Sequence, residues 1–286
     1  MNKIQKVLVT GANGQLGSEI KELAGNYPDL DFIFTDIADF PLDKAAVIVE
    51  NYNKIQPDIV INCAAYTAVD KAEQDVEVAD AVNHLSIATL SELCNKSGAK
   101  LVHVSTDYVF DGTSPKAYTE TDIPNPRSVY GVTKLAGEKA CLENCPDSII
   151  IRTAWVYSEF GNNFVKTMLR LMAERDTLGV VNDQVGTPTY AADLAQVILT
   201  ILDSGKWESG IYHYSNEGEI SWFDFASDIK EIAGLNCEVN GIPGSSYPTP
   251  AERPAFSLLD KTKIKEVYGI KIPPYKESLK AMMAKL

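Results

Sequence analysis

Three features of this 286-residue sequence predict an α/β fold, a doubly wound parallel sheet with a smaller, loop-rich C-terminal lobe over one sheet edge. Short β-branched runs alternate with helical patterns through the first half. The first run enters a glycine turn, Gly11-Ala-Asn-Gly14-Gln-Leu-Gly17, and a helical pattern leaves it. From Ala154 onward the alternation gives way to loops rich in Gly, Asn and Pro. Strand, glycine turn and helix in that order is the context of a Rossmann-type dinucleotide site.

Residues 6–10 form the first strand. Gly11 permits the tight turn, and Gly14 lets backbone approach a pyrophosphate at the N-terminus of a helix over 15–24. Gly17 lets that helix pack close to the strand. Asn13, Gln15 and Leu16 complete the turn as candidate cofactor contacts. Residues 31–35 make a second strand ending at Asp36, whose carboxylate suits a ribose 2′-OH and repels a 2′-phosphate, which favours NAD over NADP. Leu42 and Asp43 follow, and Asp43 either caps a helix over 44–54 or approaches the adenine.

Residues 58–62 form an almost wholly apolar third strand, as a central parallel strand should be. After it comes Asn62-Cys-Ala-Ala-Tyr66-Thr67. Its small residues leave room for a ligand, which makes Ala64, Ala65 and Tyr66 cofactor candidates and Thr67 a substrate candidate. One long helix is expected over 76–96. A fourth strand over 101–105 delivers Ser105-Thr106-Asp107. A hydroxyl there suits either a substrate carbonyl or the capping of a turn.

A polar loop over 115–126 precedes a helix with Tyr130-Gly-Val-Thr-Lys134. Spaced by four, the phenol and ammonium share one helix face. A nearby positive charge favours the phenolate and lowers its pKa from ~10, which suits proton transfer. Residues 148–153 give a fifth strand. Beyond it the expected elements are a helix over 165–174, a loop over 182–189, a helix over 190–203 and a strand over 210–215. A helix capped by Ser221 runs to 233, with a short strand over 236–241, a Pro/Gly/Ser-rich stretch over 243–254 and a last helix over 277–284.

Composition bounds the function. Hydrophobic residues are 45% and charged residues 23%, an ordinary globular profile with length for one large or two modest domains. A net charge of −13 argues against nucleic acid or an anionic membrane as partner. No apolar run approaches the ~20 residues of a spanning helix. Residues 1–10 lead into the glycine turn without a cleavage pattern, so they read as a strand rather than a signal peptide. Cys63, Cys94, Cys141, Cys145 and Cys237 are scattered without zinc spacing and are expected to be reduced in a cytoplasmic protein. His84, His103 and His213 show no metal-ligand spacing and are read as core or helix-surface residues.

Taken together, the glycine turn, Asn62–Glu73, Ser105–Gly112, Tyr130–Glu138 and Arg152–Tyr157 resemble the dTDP-4-dehydrorhamnose reductases of the extended short-chain dehydrogenase/reductase superfamily. So do Gly161-Asn-Asn-Phe164, Asp183-Gln-Val-Gly-Thr-Pro-Thr189 and Arg253-Pro254, so the resemblance runs in order over nearly the whole chain. It implies reduction of the C4 ketone of dTDP-4-dehydro-L-rhamnose by NADPH, with NADH possible, the last step of dTDP-L-rhamnose synthesis. It further implies that Tyr130 donates the proton and that Lys134 holds the nicotinamide ribose and lowers the phenol pKa. Thr106 would bind the carbonyl oxygen with Asp107 near the sugar. Trp155 would form one face of the sugar pocket, and Arg253 suits the phosphates.

The expected division is residues 1–153, with about 188–213, as dinucleotide-binding domain, and 154–187 with 214–286 as nucleotide-sugar-binding lobe. Some members of the family bind magnesium at a dimer interface. Here Glu19 matches one ligand, but Ala192 stands at a later one and Asp193 is displaced by one residue. Magnesium is therefore doubtful, and a monomer or a homodimer is expected. Two alternatives stand beside the reductase: an epimerase that retains NAD, and a non-catalytic homologue like the regulatory subunit of methionine adenosyltransferase. The intact Thr106, Tyr130 and Lys134 set counts against the second.

Overall fold

The computed structural model describes residues 4–286; residues 1–3, part of the stretch that leads into the first strand, lie outside the described residues. β1 (Gln5–Thr10) runs into α1 (Gln15–Leu23), which returns to β2 (Leu30–Thr35). α2 (Ala45–Ile55) leads to β3 (Ile59–Asn62), and α3 (Val69–Ala72), α4 (Val76–Asp80) and α5 (Ser86–Ser97) to β4 (Lys100–Thr106). α6 (Val129–Asn144) leads to β5 (Ile149–Thr153). Then come β6 (Val156–Tyr157), α7 (Phe164–Glu174), β7 (Thr177–Val181), β8 (Val185–Gly186), β9 (Thr189–Tyr190), α8 (Ala191–Asp203) and β10 (Gly210–His213). β11 (Ile220–Ser221), α9 (Trp222–Ala233), β12 (Glu238–Ile242), α10 (Thr262–Tyr268) and α11 (Tyr275–Met283) follow.

Six strands form one parallel sheet in the order β2-β1-β3-β4-β5-β10. The chain steps from β1 out to β2, then back past β1 to β3. That reversal opens a crevice at the carboxyl ends of β1 and β3, where open α/β sheets take their ligands. Val7, Val9, Ile59 and Ile149 pack on one face against Leu16, Ile20 and Ile198 of α1 and α8. Leu8, Val60 and Ile150 face Ile48, Leu90 and Cys141 of α2, α5 and α6. Coverage on both faces explains the unbroken runs Ile59-Val60-Ile61 and Ile149-Ile150-Ile151, all at most 1% exposed. A second core gathers Met168, Val180, Phe225, Ile229 and Leu279 from α7, β7, α9 and α11. There β7 pairs in parallel with β12.

The structure adds elements that periodicity does not show. β7 holds Gly179 mid-strand, and α10 has one fully buried residue, Ile264, so neither carries a strong pattern. The helix expected over 76–96 is two α segments joined by a π turn over Ala81–Leu85. Ser221 caps α9 in a reciprocal capping box with Asp224, which closes the two backbone donors at that end.

α6 presents an unusual face to the sheet. Ser128 caps it by accepting from the Gly131 N–H at 3.2 Å. Tyr130, Lys134 and Glu138, each four residues apart, are all buried. Most helices turn their polar stripe to water; this one turns it inward, which requires a partner for every group.

Candidate active site

The carboxyl ends of β1, β3 and β4 open into a cleft of about 670 Å³. Gly11, Gly14, Gln15 and Leu16 line it from the glycine turn, and Asp36, Leu42 and Asp43 from beyond β2. Ala64, Ala65, Tyr66 and Thr67 enter after β3, and Tyr130 and Lys134 from α6. Among the described lining residues Lys134 is the one Lys or Arg. Asn13 and Gly17 belong to the same turn without lining the cleft. Gly11 has φ +67°, and a Cβ there would lie 2.8 Å from the Cα of Ala64. A side chain would therefore push the turn off β3 and close the crevice. Gly17 packs against the backbone of Gly11 and Ala12 with no room for a methyl group.

Asp36 accepts from the Asn13 N–H at 2.7 Å and from the Ile37 N–H at 2.7 Å. The carboxylate thus braces the glycine turn at the wall of the cleft. Asp43 does not cap α2: Lys44 is its N-cap residue and no side chain bonds there. It lines the cleft instead, because the turn after Pro41 leaves it short of the helix. These features fit a nicotinamide dinucleotide, with a cradle that a Cβ would fill and helix N–H groups for the pyrophosphate.

Tyr130 and Lys134 are 9% and 2% exposed. Lys134 Nζ donates to the Val104 carbonyl at 2.7 Å, and burial drives its pKa down to about 8. The Tyr130 phenol is pushed up to about 12 by burial, opposed by the Thr106 hydroxyl and reinforced by Asp107. The lowering expected from Lys134 is not part of that balance. With the ammonium turned to Val104, desolvation dominates and the phenol is held protonated. Thr106 Oγ1 donates to Asp107 Oδ1 at 3.1 Å and accepts from the Tyr108 N–H at 3.2 Å. Thus its hydroxyl both caps the turn and sits at the phenol. Asp107 is 2% exposed, and burial pushes its carboxyl up to about 6 against the hydrogen bonding of Ser257 and Thr106, which favours the carboxylate.

Trp155 stands on the lobe side. It has φ +49°, a strained conformation for a bulky side chain, held because its ring stacks on Trp222 at 3.6 Å. Phe164 continues the aromatic wall at 4.6 Å from Trp222. Arg253 reaches across from the 243–254 stretch to Asp70. Trp222 and Asn83 escaped the sequence reading. Asn83, in the π turn, accepts from the Tyr66 N–H at 2.9 Å and donates to the Tyr66 carbonyl and to Thr133. It thereby fastens the loop after β3 to α6. An Asn inside an apolar helical pattern is the one signal that could have flagged it.

Glu19 does not fit a magnesium site. It is 1% exposed and accepts from Ser158 Oγ at 2.7 Å; burial and the adjacent Glu159 raise its pKa. Glu159 accepts from Lys285 Nζ at 2.6 Å and from the Tyr190 hydroxyl at 2.9 Å. The ammonium of Lys285 supplies the positive charge there. Asp193 turns away to Asn216 and Ser278.

Residues 5–286 match the family profile described as RmlD substrate binding domain. The chain is 42% identical to the dTDP-4-dehydrorhamnose reductase of Aggregatibacter actinomycetemcomitans, over 98% of each chain. It is similar to the crystal structure of a dTDP-4-dehydrorhamnose reductase from Clostridium acetobutylicum, at TM-score 0.93 and 41% identity, covering 98% of this chain and 99% of that one. The Bacillus anthracis enzyme in complex with NADP matches at TM-score 0.94 and 36% identity, over 99% of both.

Proposed function

This chain belongs to the dTDP-4-dehydrorhamnose reductase family, and we propose that Tyr130, Lys134 and Thr106 carry its reaction. The protein is an NAD(P)H-dependent oxidoreductase that reduces the C4 ketone of dTDP-4-dehydro-L-rhamnose to dTDP-L-rhamnose. Bound in the cleft, the reduced nicotinamide supplies a hydride to the carbonyl carbon. The cleft residues from Gly11 to Gly17, with Asp36, Ala64 and Ala65, hold the dinucleotide. NADPH is the reductant, and the carboxylates Asp36 and Asp43 support use of NADH as well.

Tyr130 gives its proton to the carbonyl oxygen as negative charge grows there. A phenol held protonated at every working pH is suited to that task, because an alkoxide is far more basic than a phenolate. The Thr106 hydroxyl orients the carbonyl. Lys134, one helical turn from the phenol, holds the nicotinamide ribose and offers its charge when the phenolate forms. Trp155 and Trp222 wall the sugar, and Asp107 accepts from one of its hydroxyls.

The observation that carries this reading is the buried phenol and ammonium on the inward face of α6, opening into the dinucleotide cleft. It is tested by following NADPH oxidation with dTDP-4-dehydro-L-rhamnose against other keto-sugars. Stoichiometric NAD retained through purification, with no NADPH consumed, would instead identify an epimerase.

Among the described residues no helix is long and apolar enough to cross a membrane. The five cysteines are free, which supports a cytoplasmic location. With Lys285 at the Glu19–Glu159 pair, the chain acts as a monomer or as a homodimer formed without magnesium. A pH dependence also follows. Lys134 loses its proton near pH 8, so kcat/KM for NADPH should begin to fall there, while Tyr130 stays protonated to about 12. A rate profile flat across that region would remove the Lys134 charge from the mechanism.

A further inference from the structure

Arg253 and Asp70 lie 183 residues apart and meet end-on: Nη1 donates to Oδ1 at 2.9 Å and Nη2 to Oδ2 at 2.7 Å. Nη1 also donates to the Ala251 carbonyl at 3.2 Å, and the Ala251 N–H donates to Asp70 Oδ1 at 3.2 Å. A guanidinium has five N–H donors in a rigid fork. Three are used here. The two that remain, on Nε and Nη2, lie along one edge and find no acceptor among the described residues. That free edge has the spacing of a bidentate phosphate contact.

The same segment is held from other sides. Pro254 packs on Gly112, where a Cβ would come within 2.6 Å of it. Beyond it, Val185 exchanges backbone hydrogen bonds with the following residues, at 2.8 Å each. Arg253 is close enough to Tyr108 to act on its phenol, and the Tyr108 ring meets that of Tyr130 edge-on at 5.4 Å. Arg253 thus stands within electrostatic reach of the ring that packs on Tyr130. Asp70 sits in the first turn of α3, just beyond Thr67.

We propose that Asp70 is a positioning residue for substrate: it grips Arg253 end-on and so presents the guanidinium's side-on edge to the diphosphate of the nucleotide sugar. The grip settles the long side chain before the ligand arrives, so binding does not have to order it. It also ties the C-terminal segment to the cofactor loop, so the phosphate contact forms with the lobe already in place. The proposal rests on the nucleotide-sugar reading of the site.

The test measures KM for dTDP-4-dehydro-L-rhamnose, KM for NADPH, kcat, and inhibition by dTDP, in wild type, Asp70→Ala, Asp70→Asn, Arg253→Ala and the Asp70→Ala/Arg253→Ala double variant. Asp70→Ala is expected to raise the sugar-nucleotide KM and the dTDP inhibition constant by roughly tenfold or more, with kcat and KM for NADPH within about twofold. Asp70→Asn, which keeps one acceptor, should lie between. The double variant should be no weaker than Arg253→Ala, because the second loss has nothing left to remove. Additive losses, an unchanged KM, or a KM that falls in Asp70→Ala would each overturn the proposal, the last by showing that Asp70 competes with the phosphate. A wild type that neither turns over the sugar nor binds dTDP overturns the nucleotide-sugar reading and this proposal with it. A wild type that does both, beside an Asp70→Ala of unchanged KM, overturns this proposal alone.

Discussion

Replacing Tyr130 with phenylalanine is expected to lower kcat by about 10³-fold, within the range that a positioned general acid contributes, and to leave NADPH binding nearly unchanged. The ring has its own packing, edge-on to Tyr108 and against Ala72 and Ala79, and phenylalanine keeps all of it. What it removes is the one hydroxyl proton that lies beside Thr106 on the cleft face of α6. The Asp107 carboxyl, which acts on this phenol, is raised to about 6 by burial, so at neutral pH only a minority carries a proton. That minority sets the residual rate, which should rise as pH falls toward 6. Single-turnover NADPH oxidation and a fluorescence titration of NADPH separate chemistry from binding. Turnover near the wild-type rate would transfer the donor role to Asp107.

How far the site could be read from sequence depends on whether a residue's partner lies near it in the chain. The glycine turn was legible because tight turn, phosphate approach and helix packing each need a glycine at a set spacing, and all three lie within seven residues. The Tyr130–Lys134 pair was legible as a helix face. Its electrostatics were not, since the direction of the phenol shift depends on burial under residues from β4 and α3, and Lys134 spends its proton on Val104, 30 residues away. Trp222 was unreadable for the same reason: its stacking on Trp155 exists only after the lobe has folded. The π turn that aims Asn83 at Tyr66 was unreadable for a like reason, since the loop it fastens lies 17 residues away. The six-strand sheet, by contrast, follows from apolar runs that need no partner to be recognised.

The Glu138–Arg152 pair shows that part of a family signature is structural chemistry rather than catalysis. Arg152 Nε donates to Oε1 at 2.9 Å and Nη2 to Oε2 at 2.7 Å, and both side chains are 2% exposed. The guanidinium also lies over the Phe110 ring at 5.1 Å, with Nη1 3.4 Å from His213 Nε2. His213 Nδ1 lies 3.0 Å from the Tyr118 carbonyl, so it carries the ring proton and leaves Nε2 to accept from Arg152. Burial and the Arg152 charge hold that imidazole neutral, with its pKa pushed down to about 3.

Glu138→Ala then leaves a buried guanidinium with no counter-charge, and the expected cost is about 3–5 kcal/mol of folding stability, read by denaturant unfolding. Arg152→Met should cost a similar amount by stranding the carboxylate. The two together should cost less than the sum, because neither charge is left alone. Near-additive losses, or a single variant as stable as wild type, would show that the pair contributes packing and not charge compensation. The effect reaches the site as well. Glu138 stands one turn from Lys134 and works to raise the lysine's pKa against the burial that lowers it. Without that carboxylate the Lys134 pKa falls further. In the milder Glu138→Gln variant the high-pH decline in kcat/KM should therefore begin below pH 8, which a pH–rate profile beside wild type would detect. A decline that stayed in place would mean that the helix holds Lys134 in position without tuning it.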